Sequence, residues 1–555
     1  MKIAPKQTRR AFAALTTAAA TVLLSCPVIG VASTAPSPPS LQISLANGII
    51  EGKRMRTRDT DLRVFLGIPY SAPPTGPLRW REPQPIERWA GVRNAIEFGP
   101  RCAQPTLFSI TFRSTQMSED CLYLNVWTPA SANEEKLPVL VYFHGGNFDV
   151  GDGSQPRYDG ANLAARGIVT VTLNYRLGAF GFLTLPELGR ESPHGKTGNY
   201  GLLDQHAALE WVRDNIAAFG GDPDKVTIAG DSAGAFSVNA HVASPLSRGL
   251  FARAIGFSGG AFAPLMAMPQ HSATSLSDLF LRKIGRRSVA SLRAMSTASL
   301  LARTVTSEHH TVPFWPSVDG RFLPEPPSTI FRSGSQAKVP LLVGSNLYAG
   351  HYSMVLDGSP PTPQTWQRVL QERFGDRAGE ALSLYPGDSE EQIKQSALAL
   401  ATDDWISHAV WRWMDMHRQT SLARIYFYGY THRQAAQGND DTIANRSVQP
   451  SNATEAVFAL DNLDHHASSG WSAEDREVSR VFSGYVEQFV KDANPNRAGL
   501  PTWASVRDAP SGRMLHVIGA DAQRAAGDLA ARHTLLQARY TEEEVGQKQQ
   551  QPPIK

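Results

Sequence analysis

The stretch Val226-Thr-Ile-Ala-Gly230-Asp231-Ser232-Ala233-Gly234-Ala235 constrains what this chain can become more than any other. An apolar, β-branched run leads directly into Gly-x-Ser-x-Gly and then into residues compatible with a helix. Gly-x-Ser-x-Gly by itself arises by chance in glycine-rich turns. With a strand before it and a helix after it, small residues on either side of the serine let the backbone reverse sharply and leave the hydroxyl exposed at the strand's C-terminal end. Ser232 is therefore the candidate nucleophile, and the following helix N-terminus adds a positive dipole that favours a developing oxyanion.

The rest of the chain supplies the fold such a turn requires. Short apolar runs rich in β-branched and aromatic residues occur at 139–143, 169–174, 226–229, 254–257, 341–344, 425–428 and 514–518. Lacking polar alternation, they read as central strands covered on both faces. Helical periodicity fills the intervals, most clearly at 200–219 and 473–490. Strands alternating with helices predict an α/β fold with a central, mostly parallel sheet flanked by helices. The less regular region 262–340 is expected to be a long insertion that roofs the sheet.

Composition narrows the setting. Of 555 residues, 42% are hydrophobic and 19% charged, and the formal net charge is only +3, with basic residues scattered. This is a globular chain without the basic footprint of a nucleic-acid binder. After the N-terminus no apolar run approaches the ~20 residues that span a bilayer. Residues 1–35 read as an export signal, with Lys2, Lys6, Arg9 and Arg10 followed by an Ala/Thr/Leu/Val stretch. Thr8-Arg9-Arg10-Ala11-Phe12 resembles a twin-arginine motif, and an ordinary secretory signal is the alternative. Leu23-Leu24-Ser25-Cys26 also looks like a lipoprotein box, which would put a lipid anchor on Cys26. The mature protein is then periplasmic or extracellular. Residues 41–535 form the folded domain, and 541–555 read as a disordered tail. Removing the leader leaves Cys102 and Cys121, which are expected to pair outside the cytoplasm and to close a loop of about 20 residues, contributing ~3 kcal/mol.

A second motif lies upstream. Val139-Leu-Val-Tyr-Phe-His144-Gly145-Gly146-Asn147-Phe148 sets a His-Gly-Gly loop at the end of a predicted strand. Such loops offer backbone N–H groups to a tetrahedral intermediate, here from Gly146 and Asn147 together with Ala233 after the serine. With these residues the chain resembles the type-B carboxylesterase and cholinesterase-like family. Glu119-Asp-Cys121-Leu-Tyr-Leu-Asn125-Val and Phe219-Gly-Gly-Asp222-Pro-Asp-Lys-Val-Thr-Ile-Ala-Gly-Asp-Ser232-Ala-Gly match its two signatures. Gly67-Ile-Pro-Tyr-Ser-Ala-Pro-Pro, Asn199-Tyr-Gly-Leu-Leu-Asp204-Gln205 and Pro316-Ser-Val-Asp-Gly320 extend the likeness over nearly the whole mature chain. The resemblance implies an α/β-hydrolase fold, hydrolysis of a small-molecule carboxylic ester through an acyl-enzyme without a cofactor, and a disulfide between Cys102 and Cys121. Asp231 stands where the family has glutamate, and Asn147 where a third glycine is common.

Two departures go deeper. The family's triad acid follows a strand in a Gly-x-Asn-x-Asp-Glu-Gly stretch, and this chain reads Gly344-Ser-Asn346-Leu-Tyr-Ala349-Gly350, with Ala349 at the acid position. The family's histidine precedes a Val-Phe-x-x-Leu-Asp stretch, and counting back from Val457-Phe458 reaches Pro450. No histidine lies between His432 and His465. A serine hydroxyl is a poor nucleophile without a nearby base, so another group must replace the histidine or turnover is very slow. His351, His432, His465 and His466 are the histidines to consider. Asp403, Asp404 and Asp461 have structural roles by resemblance and are not assigned as the acid. Metal-site spacings such as His-Glu-x-x-His and paired Cys-x-x-Cys do not occur, and no metal is expected. The readings that follow are a serine carboxylic-ester hydrolase, a catalytically impaired binding protein of the same fold, and a non-hydrolytic enzyme that keeps the oxyanion site.

Overall fold

The structure, a computed structural model, describes residues 40–107, 110–286, 288–307, 310–432, 452–465, 470–508, 516–519 and 529–547. The export signal and Cys26 lie outside them, as do Pro450 and His466.

The main sheet has ten strands. In chain order these are β1 (Lys53–Thr57), β2 (Thr60–Pro69), β3 (Tyr123–Thr128), β4 (Leu137–Phe143), β5 (Val169–Leu173), β6 (Gly221–Asp231), β7 (Arg253–Phe257), β8 (Leu341–Asn346), β9 (Ile425–Tyr430) and β10 (His516–Ile518). Across the sheet they run β10-β9-β8-β7-β6-β4-β5-β3-β2-β1. Pairing is parallel from β10 to β5 and antiparallel from β5 to β1. Each predicted strand is present, several of them longer than their apolar cores.

The antiparallel end escapes a search for apolar runs for a physical reason. β1 is an edge strand that carries Lys53, Arg54 and Arg56 and is nowhere fully buried. In the parallel part both faces are covered. Val139, Val141 and Phe143 point into one core, which includes the helices α1 (Tyr200–Asn215) and α2 (Ala233–Ala243). Leu140 and Tyr142 point into the other, with Phe482, Tyr485 and Phe489 of α6 (Ala473–Asp492). The region 262–340 contributes Phe280, Leu292, Leu300, Phe314 and Phe331 to the first core, so it packs onto the sheet. The described residues from Ser40 onward form one compact unit.

The expectation of a disordered tail needs correcting over 541–547. The final helix, α7 (Leu529–Gln547), runs through these residues, anchored upstream by buried Leu535, Leu536 and Tyr540. Among the described residues no helix is long and apolar enough to cross a membrane.

Cys102 and Cys121 are joined by a disulfide, and both are buried. Beside it Glu119 accepts two hydrogen bonds from Arg79, at 2.6 and 2.5 Å, inside the protein. Replacing both cysteines by serine is expected to lower unfolding free energy by ~3 kcal/mol, from lost loop closure alone. Denaturant unfolding of the folded variant against wild type measures this.

Candidate active site

β6 delivers Ser232, and the backbone there is strained. Ser232 sits at φ 53°, ψ −119°, between the last strand residue and the first residue of α2. Such a conformation persists in a side-chain-bearing residue only when its surroundings enforce it. Here strand and helix cross so closely that a Cβ on Gly230 would overlap Gly234, and one on Gly234 would overlap the Phe143 carbonyl. The two flanking glycines are thus steric requirements of the turn. The Ser232 N–H donates to the Phe257 carbonyl at 2.9 Å, tying the elbow to β7. Its side chain remains partly accessible, while every residue of α2 behind it is buried.

The His-Gly-Gly loop leaves β4, the strand paired with β6 in the register Phe143–Gly230. Gly146 has φ 116°, and a Cβ on it would overlap the Val150 carbonyl. The Gly146 carbonyl accepts from the Asp149 and Val150 N–H groups, each at 3.0 Å. Asn147 and Phe148 follow at φ 59° each. Asparagine tolerates that left-handed region better than most residues, which explains how it replaces a glycine. Phe148 pins the loop edge-to-face against Phe236 of α2 and Trp315 of the roofing segment. The N–H groups of Gly146, Asn147 and Ala233 have no acceptor among the described residues. Loop and elbow touch, since a Cβ on Gly145 would lie 2.7 Å from the Asp231 carboxylate. The structure therefore sets the loop that carries Gly146 and Asn147 against the elbow that carries Ser232 and Ala233, at the C-terminal edge of the sheet.

His144 is committed elsewhere. Its ring stacks on Tyr175 at 4.2 Å, its Nδ1 contacts the Gly145 carbonyl at 2.8 Å, and burial holds it neutral with a pKa lowered to about 4. Asp231 lies buried under the elbow and accepts from the hydroxyls of Tyr142 at 3.0 Å and Tyr158 at 3.2 Å. Burial raises its pKa.

Asp149, on the loop itself, accepts from the Asn147 side chain at 3.0 Å. Burial pushes its pKa from 3.8 up to about 6, against weaker opposing hydrogen bonds from Thr311 and Asn147. Folding thus takes up a proton here, and the stability this group contributes is greatest below pH 3.8 and is lost as pH rises through about 6. Asp149→Asn is expected to gain stability relative to wild type on going from acid to neutral pH. Unfolding of both proteins on either side of that window gives the double difference, and a constant difference refutes the assignment.

The four histidines fare differently. His432 follows β9 and contacts Asp475 at 2.6 Å, where α6 begins. Asp231, Phe257, Gly344 and Tyr428 are level across the sheet, so β9 lies three strands from β6, roughly 14 Å at ~4.8 Å per strand. His432 is beyond that, and its ring belongs to the α6 terminus. His351 is half-exposed, paired with the Ser353 hydroxyl at 2.7 Å, with its ring tilted against that of Tyr352. Among the described residues the His465 ring has a distant contact with Asp159, at 3.9 Å. None of these three is brought to Ser232 by its contacts. Ala349 is buried just past β8.

The carboxylates left unassigned in the sequence are structural. Asp403 accepts from the Tyr385 hydroxyl at 2.9 Å. Asp404 pairs with Arg373 and Arg539, and Asp461 with Arg58 and Arg166. Sequence reasoning passed over Ser258 and Glu455, which lie against this machinery. The available signal was a lone carboxylate next to the apolar run Ala456-Val457-Phe458-Ala459-Leu460.

Comparison with known proteins agrees with this geometry. Residues 38–533 match the model of the Carboxylesterase family. The fumonisin B1 esterase of Sphingopyxis macrogoltabida is 35% identical, covering 87% of each chain. The para-nitrobenzyl esterase of Bacillus subtilis (strain 168) is 34% identical over 80% of this chain and 89% of its own. The human cocaine esterase is 35% identical over 80% and 81%. With its strand order, strained serine elbow and facing glycine loop, the chain belongs to the carboxylesterase family, the carboxylic-ester hydrolases built on the α/β-hydrolase fold.

Proposed function

We propose that this protein is an exported serine carboxylic-ester hydrolase in which Ser232 attacks the acyl carbon and the N–H groups of Gly146, Asn147 and Ala233 hold the oxyanion. The observation that carries the reading is the strained elbow at Ser232 beside a glycine loop, with the N–H groups of Gly146, Asn147 and Ala233 lacking acceptors among the described residues. Strain of this kind is kept where it presents a reactive group, and N–H groups left without acceptors beside it suit a developing negative charge. The disulfide supports export, because such bonds persist in oxidising compartments. A lipid anchor at Cys26 would hold the mature protein at a membrane surface.

The relatives are named for different esters, so they agree on the reaction and on no single substrate. The test is accordingly generic: hydrolysis of p-nitrophenyl acetate by the mature protein beside Ser232→Ala. Serine-dependent turnover supports the reading. A second reading, a binding protein with an inert pocket, is favoured by Ala349 at the triad-acid position. Equal, slow rates for the two proteins would select it.

A further inference from the structure

A chain of hydrogen bonds runs unbroken through the core behind the elbow. Ser237, on α2, donates its hydroxyl to the Ala233 carbonyl at 3.0 Å and accepts from the side-chain amide of Gln205, on α1, at 3.0 Å. Gln205 Oε1 meets Nε2 of His241 at 3.2 Å, and His241 Nδ1 meets the Ser247 hydroxyl at 2.7 Å. All four side chains are fully buried. A helical serine bonded to the carbonyl four residues back is commonplace. Here that bond is the last of four, and it ends on the residue that follows the nucleophile.

The carbonyl at its end fixes every proton in the chain. A carbonyl oxygen only accepts, so the Ser237 hydroxyl directs its proton there and its oxygen takes a proton from the Gln205 amide. Gln205 Oε1 then accepts from the His241 Nε2–H, and the bare Nδ1 accepts from the Ser247 hydroxyl. This pattern needs a neutral imidazole, and burial, with His206 nearby, lowers the His241 pKa well below its ordinary value. A buried network in which every group is satisfied is rigid, and breaking one member leaves its neighbours unpaired.

The same imidazole backs the other half of the site. Its ring stacks on Phe143 with centroids 5.1 Å apart, and Phe322 of the roofing segment meets it edge-to-face at 5.2 Å. Phe143 is the last residue of β4, directly before the His-Gly-Gly loop, and its carbonyl lies where a Cβ on Gly234 would fall. His241 thus touches the root of the loop, and through Gln205 and Ser237 it reaches the first turn of α2. In that turn the Phe236 N–H donates to the Ser232 carbonyl at 2.9 Å.

We propose that Ser237, Gln205 and His241 are positioning residues for the oxyanion donor Ala233, holding its carbonyl from behind so that its N–H keeps one direction. The inference deepens the ester-hydrolase reading and rests on it. The N–H and the carbonyl of Ala233 flank a single Cα, so anchoring one restricts the other. All three side chains are sealed from solvent and act only through Ala233. Their effect belongs to the step in which charge appears on the carbonyl oxygen, because a misaimed donor costs most where its hydrogen bond is strongest.

Wild type, Ser232→Ala, Ser237→Ala, Ser237→Thr, Gln205→Met and His241→Phe are compared in steady-state hydrolysis of p-nitrophenyl acetate, with near-ultraviolet circular dichroism as the folding control. Ser479→Ala is the matched structural control: Ser479 is a buried serine of α6, on the other face of the sheet, bonded to the Phe458 carbonyl at 3.1 Å. Removing an oxyanion donor costs about 10² to 10³ in kcat. Ser237→Ala and Gln205→Met only loosen one, so each should lose about tenfold in kcat with KM within about twofold. Combining them should cost no more than either alone, because the chain is broken once. His241→Phe keeps a ring against Phe143 without the donor and should lose about threefold or more, while Ser237→Thr retains the hydroxyl and should stay within about threefold of wild type. Wild-type kcat in Ser237→Ala and Gln205→Met, beside an inactive Ser232→Ala, overturns the positioning role and leaves the hydrolase reading intact. An equal loss in Ser479→Ala overturns it too, by marking the effect as general destabilisation. Equal, slow rates for wild type and Ser232→Ala overturn the hydrolase reading and this proposal with it. If Ser237→Ala does not fold, Gln205→Met decides, and a raised KM at unchanged kcat counts against the proposal.

Discussion

Ser232→Ala is expected to fold like wild type and to lose at least ~10³-fold in kcat/KM for a simple aryl ester. The magnitude follows from what remains after the hydroxyl is removed. In serine hydrolases the binding site and oxyanion donors alone retain roughly a thousandfold over water, and removing the nucleophile costs up to about a millionfold in turnover. The loss here should fall below that upper figure if, as the family resemblance implies, Pro450 and Ala349 stand at the usual base and acid positions and the wild-type rate starts lower. Alanine still has a Cβ and must adopt the same φ of 53°, so the strain is unchanged. Ser232→Gly is the contrasting variant. It removes the hydroxyl and the strain together, and should be equally inactive while gaining ~1 kcal/mol or more in stability. Steady-state kinetics with thermal melting separates the two effects, and a melting temperature unmoved by glycine would show that the elbow stores no strain.

The fold was legible in the sequence wherever a strand is buried on both faces. The runs in β4 to β9 are apolar because no face of them meets water, and that pattern needs no alignment to read. The charged edge strand β1 carries no such signal. Ser232 and the glycine loop were legible because their chemistry demands glycine at particular points, and those demands appear as motifs. Residues that gather beside the elbow from distant parts of the chain leave no motif. Glu455 and Ser258 are separated by nearly two hundred residues and come near each other only because the helix Asn452–Ala459 packs against β6 and β7. His432 shows the opposite failure: a histidine just past a sheet strand looks suitable in sequence, yet strand order sets it three strands from the serine, at Asp475. Spacing along the chain identifies residues that share an element, and the sheet order decides which elements are neighbours.

Gly146→Ala should be the most damaging single methyl in the site. A Cβ at this position would run into the Val150 carbonyl, and φ of 116° is a conformation that alanine does not readily take. The loop must shift, and with it the N–H groups of Gly146 and Asn147. Removing a single oxyanion donor costs about 10² to 10³ in kcat, and displacing two should reach at least that range. KM should change little, because these donors strengthen their hold as charge develops on the oxygen. Asn147→Gly tests the same loop from the other side. It keeps the N–H, relieves a φ of 59°, and gives up only the side-chain bond to Asp149, so its kcat should stay within a few-fold of wild type. If Gly146→Ala and Asn147→Gly have equal kcat, the loop does not hold the oxyanion, and charge stabilisation would have to come from Ala233 and the N-terminus of α2 alone.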